Sequence, residues 1–244
     1  MDFELAEEYR MLRDLVQRFV REELIPLEAG VLERDAEGKG AYLTASERER
    51  LNKVSKEMGL WSLDAPEDAG GMGMPHVALV GVNEALGSTV AQYTLPPDSP
   101  NLQMLMATVN DQQRTAYLEP YARGETVSAI GISEPGAGAD PAGMLTRAVR
   151  DGDDWVINGR KIWITRAAEA DFTILMAITD PVKRARGGMS AFLVDGDNPG
   201  FKVLRRIPML GGEYTYEVVL EDCRVPGWKL LGKEGDGFGP MQIR

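Results

Sequence analysis

Apolar side chains recur at helical spacing through the first half of the chain. Leu5, Tyr9, Leu12, Val16, Phe19 and Val20 fall every three or four residues and predict an amphipathic helix starting at Leu5. Pro26 is expected to bend or end it, because proline lacks the N–H and crowds the preceding turn. A second helix is predicted to open at Ser46, where Glu49 completes a capping box. Leu51, Val54 and Met58 form its stripe, and Gly59 stands where a C-cap glycine belongs. Residues 65–73 read as a Pro- and Gly-rich loop. A third helix is predicted over 75–86, stopping at Gly87. Ser99 and Pro100 suit the cap and first turn of a fourth. Asn110 with Gln113 caps a fifth, which ends near Gly124.

The period changes at Thr126. Residues 126–133 form a short apolar strand, and 145–150, a turn at Asp151-Gly152 and 155–157 read as a hairpin. Asn158-Gly159 is a strong two-residue hairpin signal leading into 160–165. Further strands are predicted at 172–178, 190–194, 201–205 and 214–220. Seven or eight short strands separated by turns suggest a barrel or sandwich rather than alternating βαβ units. Residues 235–244 read as the start of another helix, too short to bury a face by itself.

The 244 residues suffice for one large domain or two ordinary ones. With 43% apolar and 27% charged residues the balance is that of a soluble globular protein. No apolar run approaches the roughly 18 residues of a membrane helix. The start Met1-Asp2-Phe3-Glu4 lacks a signal peptide's basic and apolar stretches, so a cytoplasmic location is expected. A formal charge of −11 argues against nucleic acid as a partner. One cysteine, Cys223, leaves no intrachain disulfide, and one histidine, His76, leaves no Cys/His zinc set, so no metal site is assigned. A Ser-His-Asp triad would have to use His76, which follows Pro75 at a helix start and suits a surface or capping role better.

Two segments carry candidate chemistry: ISEPGAGAD from Ile132 to Asp140, preceded by Ile130 and Gly131, and INGRKIWIT from Ile157 to Thr165. The first is not a dinucleotide fingerprint: Pro141 stands where a third glycine belongs, and no parallel βαβ context surrounds it. It is either a plain Gly-Pro turn or a small-residue loop whose exposed N–H groups let a phosphate or ring approach closely. In the second, strand alternation puts Trp163 and Thr165 on one face with Lys161 beside them. An indole next to a hydroxyl suits a flat heteroaromatic ligand, although a core tryptophan in a β-domain is the more common case.

Together the two segments resemble the paired signature of the acyl-CoA dehydrogenases. PEDAGGMG (66–73), LEPYARGE (118–125) and VPGWKLLGKEGDGF (225–238) match in the family's order across nearly the whole chain. The resemblance implies an α+β fold: an N-terminal all-α helical domain (1–125), an antiparallel β-barrel domain (126–234), and at 235–244 the start of a C-terminal helical domain. It implies FAD as cofactor, with Ile130, Ile132 and Ser133 beside the flavin ring and Ser133 donating to it. Gly138 and Ala139 would lie near the cofactor's phosphates or the acyl-CoA arm, Ala139 also touching substrate. Trp163 would pack on the ring, with Ile164 and Thr165 against its reactive edge. It further implies α,β-desaturation of an acyl-CoA in fatty acid metabolism and β-oxidation, electron-transfer flavoprotein as electron acceptor, and a homodimer or homotetramer.

The sequence departs from the family pattern in three places. Ala139 stands for a usual serine, Arg166-Ala167-Ala168 replaces an Asn-Gly turn, and the domain that carries the family's glutamate base is not among these residues. No catalytic residue is therefore assigned, and residues 1–244 alone are expected to bind FAD weakly or not at all and to be inactive. Glu134 is expected to be a turn residue, and Glu213 and Glu217 to be solvated. Lys183, Arg184 and Arg186 suit either CoA phosphates or an exposed hairpin tip, the tip being expected. Cys223 is expected to be structural or idle. Two alternatives stay open: an oxidase or monooxygenase on the same scaffold, and a non-catalytic chain that binds acyl-CoA or a protein partner.

Overall fold

A computed structural model describes residues 5–97, 99–209 and 214–243. The chain packs as two compact units, Met1–Ser99 with Pro208–Glu213, and Pro100–Ile207 with Tyr214–Arg244. Glu213, expected to be solvated on a late strand, lies outside the described residues. No helix among the described residues is long and apolar enough to cross a membrane.

The first unit holds α1 (Glu7–Phe19), α2 (Glu28–Ala36), α3 (Ala45–Glu57) and α4 (His76–Leu86). The α1 stripe is buried as its spacing predicts: Leu12, Val16 and Phe19 join Val20, Leu24, Val31, Leu51, Leu60 and Val82 in one core. Full burial of such side chains stabilises by roughly 1.5–3 kcal/mol each. Pro26 neither ends the helical path nor breaks it. Val20–Leu24 widens into a π-turn and Ile25–Leu27 tightens into a 3-10 turn, so Pro26 sits where a new turn begins and no N–H is needed. The cap of α3 is Thr44 rather than Ser46. Thr44 Oγ1 accepts from Glu47 N at 3.3 Å while Thr44 N donates to Glu47 Oε2 at 2.7 Å. Arg34 decides between the two possible boxes, because its guanidinium donates to Glu47 Oε2 at 2.9 Å. Gly59 and Gly87 end their helices where the sequence places them.

The second unit opens with helices: α5 (Ser99–Thr108), which enters it at Pro100, then α6 (Asp111–Gln113) and α7 (Glu119–Ala122) joined by a π-turn over Arg114–Leu118. The Asn110–Gln113 capping box forms as expected. Gln113 also donates to the carbonyls of Trp228 and Leu230, both at 2.8 Å. Tyr117 and Tyr121 set their rings edge-on to Phe172 at 5.1 and 5.9 Å. These contacts explain why the helices after Pro100 pack with the strands, although the sequence period changes only at Thr126.

Eight strands follow: β1 (Ser128–Gly131), β2 (Arg147–Asp151), β3 (Asp154–Thr165), β4 (Phe172–Ile178), β5 (Met189–Asp195), β6 (Phe201–Pro208), β7 (Tyr214–Pro226) and β8 (Leu230–Leu231). They form one mostly antiparallel sheet in the order β6-β7-β3-β2-β4-β5-β8, with β1 parallel to β4. This is the α+β architecture expected, although the described pairings run from β6 to β8 without closing into a barrel. The β2–β3 hairpin turns at Gly152-Asp153, one residue later than expected because Asp151 still pairs with Asp154, and Gly152 sits at φ +62°. No turn forms at Asn158-Gly159, and β3 runs straight through it. Gly159 is required for another reason: a Cβ there would lie 2.3 Å from Thr146 Oγ1 and 2.6 Å from Thr146 Cα. Asn158 instead brackets a bulge on β7, its Oδ1 accepting from Asp222 N at 2.8 Å. Cys223 follows in the buried core. A short helix, α8 (Phe238–Met241), ends the described chain.

Candidate functional site

The two signature segments meet in the second unit. β1 delivers Ile130 and Gly131, and the chain then runs through Ile132 and Ser133 alongside the end of β3. Ile162 donates its N–H to Ser133 O at 3.0 Å. Lys161 Nζ donates to Ile132 O at 3.0 Å and to Glu134 Oε1 at 2.9 Å. One lysine therefore fixes the position of the first segment against the second.

Lys161 is fully buried, contrary to the expectation that it lies beside Trp163 and Thr165. The cause is a bulge. Lys161 pairs with Val218 and Ile164 with Tyr216, so three steps on β3 oppose two on β7. Trp163 takes up the extra residue at φ +63°, a left-handed conformation that costs roughly 1–2 kcal/mol for a side-chain-bearing residue. The bulge reverses the alternation. Lys161 and Ile164 both turn inward, whereas Trp163, 52% exposed, and Thr165 turn outward. Arg166 is a second left-handed residue, also at φ +63°, and its carbonyl accepts from Glu169 and Ala170 at 2.9 and 3.0 Å. A turn therefore forms here around an arginine in a conformation that asparagine or glycine adopts more easily.

Glu134 is no mere turn residue. It is buried beside Lys161, and its two oxygens accept from Leu145 N at 2.6 Å and Thr146 N at 3.0 Å. Burial acts to push its pKa up, but the Lys161 charge and these N–H donors outweigh that and hold it below the usual carboxylate range. Burial pulls Lys161 down to about 8 against the opposing attraction of Glu134. Glu217, expected to be solvated, is also buried: Arg160 and Arg205 each reach it at 2.5 Å, and Arg205 and Arg160 hold its pKa low. Both carboxylates are engaged as ion pairs.

The loop between Glu134 and Leu145 opens with a turn closed by mutual Glu134–Ala137 backbone hydrogen bonds of 2.8 and 3.1 Å. Its crest, Gly136, Gly138 and Ala139, is exposed. Gly136 and Gly138 have no positive φ, and a Cβ on either would meet nothing within 4 Å. Neither glycine is demanded by the backbone or by its neighbours within the chain, which leaves room for a ligand against the crest. Among the described residues the N–H groups of Gly138, Ala139 and Asp140 make no hydrogen bond, so three successive donors stand open. Gly131 differs, because a Cβ there would press on Leu175 Cδ1 at 2.8 Å.

The structure thus places Ile130, Ile132 and Ser133 half-buried beside the β3 end, Gly138 and Ala139 on an exposed crest, and Trp163 and Thr165 on an open face. The Ile164 side chain is in the hydrophobic core, so only its backbone is available to a ligand. Among the described residues the Ser133 and Thr165 hydroxyls make no side-chain hydrogen bond. An open indole, two available hydroxyls and a cradle of free N–H groups fit a flat heteroaromatic ring carrying phosphates. Sequence reasoning missed the Lys161–Glu134 pair. Extending the inward alternation of Trp155 and Ile157 to Lys161 would have signalled it. Among the described residues no cluster of His, Cys, Asp and Glu is arranged to hold a metal ion.

The basic loop before β5 is not simply an exposed tip. Arg184 donates to Ala142 O at 3.0 and 2.7 Å and to Met144 O at 2.9 Å, and of the three basic residues Lys183 and Arg186 are exposed while Arg184 is half-buried.

Comparison with known proteins accords with this geometry. The acyl-CoA dehydrogenase N-terminal domain matches residues 6–125 and the acyl-CoA dehydrogenase middle domain residues 129–223. The chain is 39% identical to (R)-benzylsuccinyl-CoA dehydrogenase of Thauera aromatica, over 100% of this chain and 62% of that protein. It is 34% identical to the mitochondrial short-chain specific acyl-CoA dehydrogenase of Mus musculus, over 96% of this chain and 56% of that protein. The three-dimensional structure of butyryl-CoA dehydrogenase from Megasphaera elsdenii superposes with a TM-score of 0.83 at 28% identity, over 98% of this chain and 62% of that one. The chain spans about three fifths of the length of these relatives. It belongs to the acyl-CoA dehydrogenase family and carries that family's N-terminal and middle domains.

Proposed function

We propose that the protein is an FAD-dependent acyl-CoA dehydrogenase that desaturates the α,β bond of an acyl-CoA thioester, and that these residues form one wall of its flavin bed. The observation that carries this reading is the outward pairing of Trp163 and Thr165, produced by the β3 bulge, on a strand end that Ile162 and Lys161 tie to the Ile132–Glu134 segment.

In this reading the Trp163 indole packs on the ring, and Thr165 and Ser133 offer hydroxyls to its polar edge. Ile130 and Ile132 line the flank. The N–H groups of Gly138 and Ala139 receive phosphate oxygens, and Ala139 borders the acyl-CoA arm, where a methyl group gives closer packing and no hydroxyl contact. When bound, FAD supplies the hydride-accepting chemistry that these side chains lack. Lys161 and Glu134 hold the two segments in register and take no part in proton transfer. We assign the abstraction of the α proton to no residue of this chain, because Glu134 and Glu217 are committed to cations. Electron-transfer flavoprotein is the proposed electron acceptor, and a homo-oligomer the proposed assembly.

The test is reconstitution of the protein at its full natural length with FAD, followed by anaerobic addition of saturated acyl-CoA thioesters. Stoichiometric flavin binding and bleaching of its absorbance are expected. A protein that takes up no FAD, or whose bound flavin is reduced by no acyl-CoA, would overturn the reading.

A further inference from the structure

The segment that follows the glycine crest is gripped from two sides by opposite charges. On one side the Glu134 carboxylate accepts the N–H groups of Leu145 and Thr146 at 2.6 and 3.0 Å. On the other, the Arg184 guanidinium donates to the carbonyls of Ala142 and Met144 at 2.7–3.0 Å. The anion is satisfied by donors and the cation by acceptors, and Lys161 pairs with Glu134 from within.

The loop that presents Arg184 is itself held by its own hydrogen bonds. Arg184 N donates to Asp180 O at 3.0 Å, and Gly188 N donates to Arg184 O at 2.7 Å. The Asp180 carboxylate accepts from Val182 N at 2.9 Å and Lys183 N at 3.1 Å. Arg184 adopts φ +48°, and a Cβ on Gly188 would stand 2.2 Å from Asp180 O. A non-glycine residue held in the left-handed region within a loop this tight is aimed rather than loose. Guanidinium geometry, with several N–H donors in a planar fork, suits two carbonyls at once, whereas an ammonium reaches them less well.

We infer that Arg184 is a positioning residue: with Glu134 it clamps residues 142–146, and thereby fixes the shape in which the 136–140 crest receives the phosphate-bearing part of its ligand. The inference rests on the proposed function for the identity of that ligand. It differs from a role for Lys183, Arg184 and Arg186 as a shared electrostatic attractor. A clamp needs Arg184 alone and works at any ionic strength, whereas attraction by exposed cations is shared among them and weakened by salt.

The experiment compares the unaltered protein with Arg184→Met, Arg184→Lys and Arg186→Met, all at full natural length. Methionine keeps the Cβ and stem of residue 184 and removes only the guanidinium. Amide hydrogen exchange without ligand is expected to accelerate at residues 144–146 in Arg184→Met by at least tenfold, the equivalent of about 1.4 kcal/mol. Arg184→Lys should recover part of the protection, and Arg186→Met should match the unaltered protein. Titration of each apo-protein with FAD at low and high salt should show a Kd raised by about the same factor in Arg184→Met at both, and unchanged in Arg186→Met. Unchanged exchange in Arg184→Met, or equal losses of affinity in the two methionine variants, would overturn the clamp. Failure of the unaltered protein to bind FAD would overturn the proposed function instead, with the exchange measurement still deciding the clamp.

Discussion

Lys161 Nζ lies 2.9 Å from Glu134 Oε1 and 3.0 Å from the Ile132 carbonyl, so one buried cation joins two segments almost thirty residues apart. Removing one member of such a pair strands the other charge in the interior. Lys161→Met is therefore expected to destabilise the protein by roughly 3–5 kcal/mol in urea unfolding. The double variant Glu134→Gln with Lys161→Met should lose less than the sum of the two single losses, because neither charge is then left alone. Strict additivity in that cycle would show the pair to be uncoupled.

The same pair sets a pH response. Glu134 is held below its ordinary value, so its ionised form stabilises the fold at pH above the unfolded carboxyl value of about 4.5. That contribution is lost as pH falls through the lower folded value. Thermal unfolding should show stability declining below about pH 4.5, with a shallower decline in Glu134→Gln. Equal slopes for the two proteins would remove Glu134 from the acid response.

Glycines on either side of the site should behave in opposite ways. Gly138→Ala meets nothing within 4 Å and should leave the melting temperature unchanged while weakening FAD binding. Gly159→Ala brings a Cβ to 2.6 Å from Thr146 Cα, and overpacking of this kind costs roughly 1–3 kcal/mol. A Gly138→Ala variant that melts early but binds FAD normally would contradict the open-crest interpretation.

Trp163→Ala and Thr165→Ala should each slow flavin reduction in stopped-flow traces of the full-length protein. The expected loss is about tenfold or more, because each removes a group that fixes the ring. Unchanged rates in both variants would place the flavin elsewhere.

Arg166 sits at φ +63° where the family uses an Asn-Gly turn. Arg166→Asn should raise stability by about 1 kcal/mol, since asparagine tolerates the left-handed region. A fall in melting temperature would mean that the arginine side chain makes a stabilising contact.

Much of this was legible from spacing alone. The α1 stripe, the Asn110 cap, the β2–β3 hairpin to within one residue and the span of β4 all follow from local periodicity and turn chemistry. What escaped was set by residues distant in sequence. Asn158-Gly159 carries a turn signal, but the close approach of Thr146 claims the glycine and the β7 bulge claims the asparagine. The outward pairing of Trp163 and Thr165 follows from strand alternation, yet Lys161 falls on the other side because a bulge, invisible to a two-residue period, intervenes. Glu134 and Glu217 read as surface carboxylates until the cations that meet them from other strands are known. Arg184 likewise reads as a surface charge until the backbone that folds over it is in place.

Cys223 is the only cysteine in the chain, and burial pushes its thiol up to about 12. Near neutral pH it holds almost no thiolate and faces no solvent, so alkylating reagents should pass it by. A fluorophore or spin label could then be attached through one cysteine introduced on the glycine crest or at an outer strand position, with Cys223 itself offering no competing thiol. Distances and motions around the proposed flavin bed thereby become measurable within this chain on an otherwise native background.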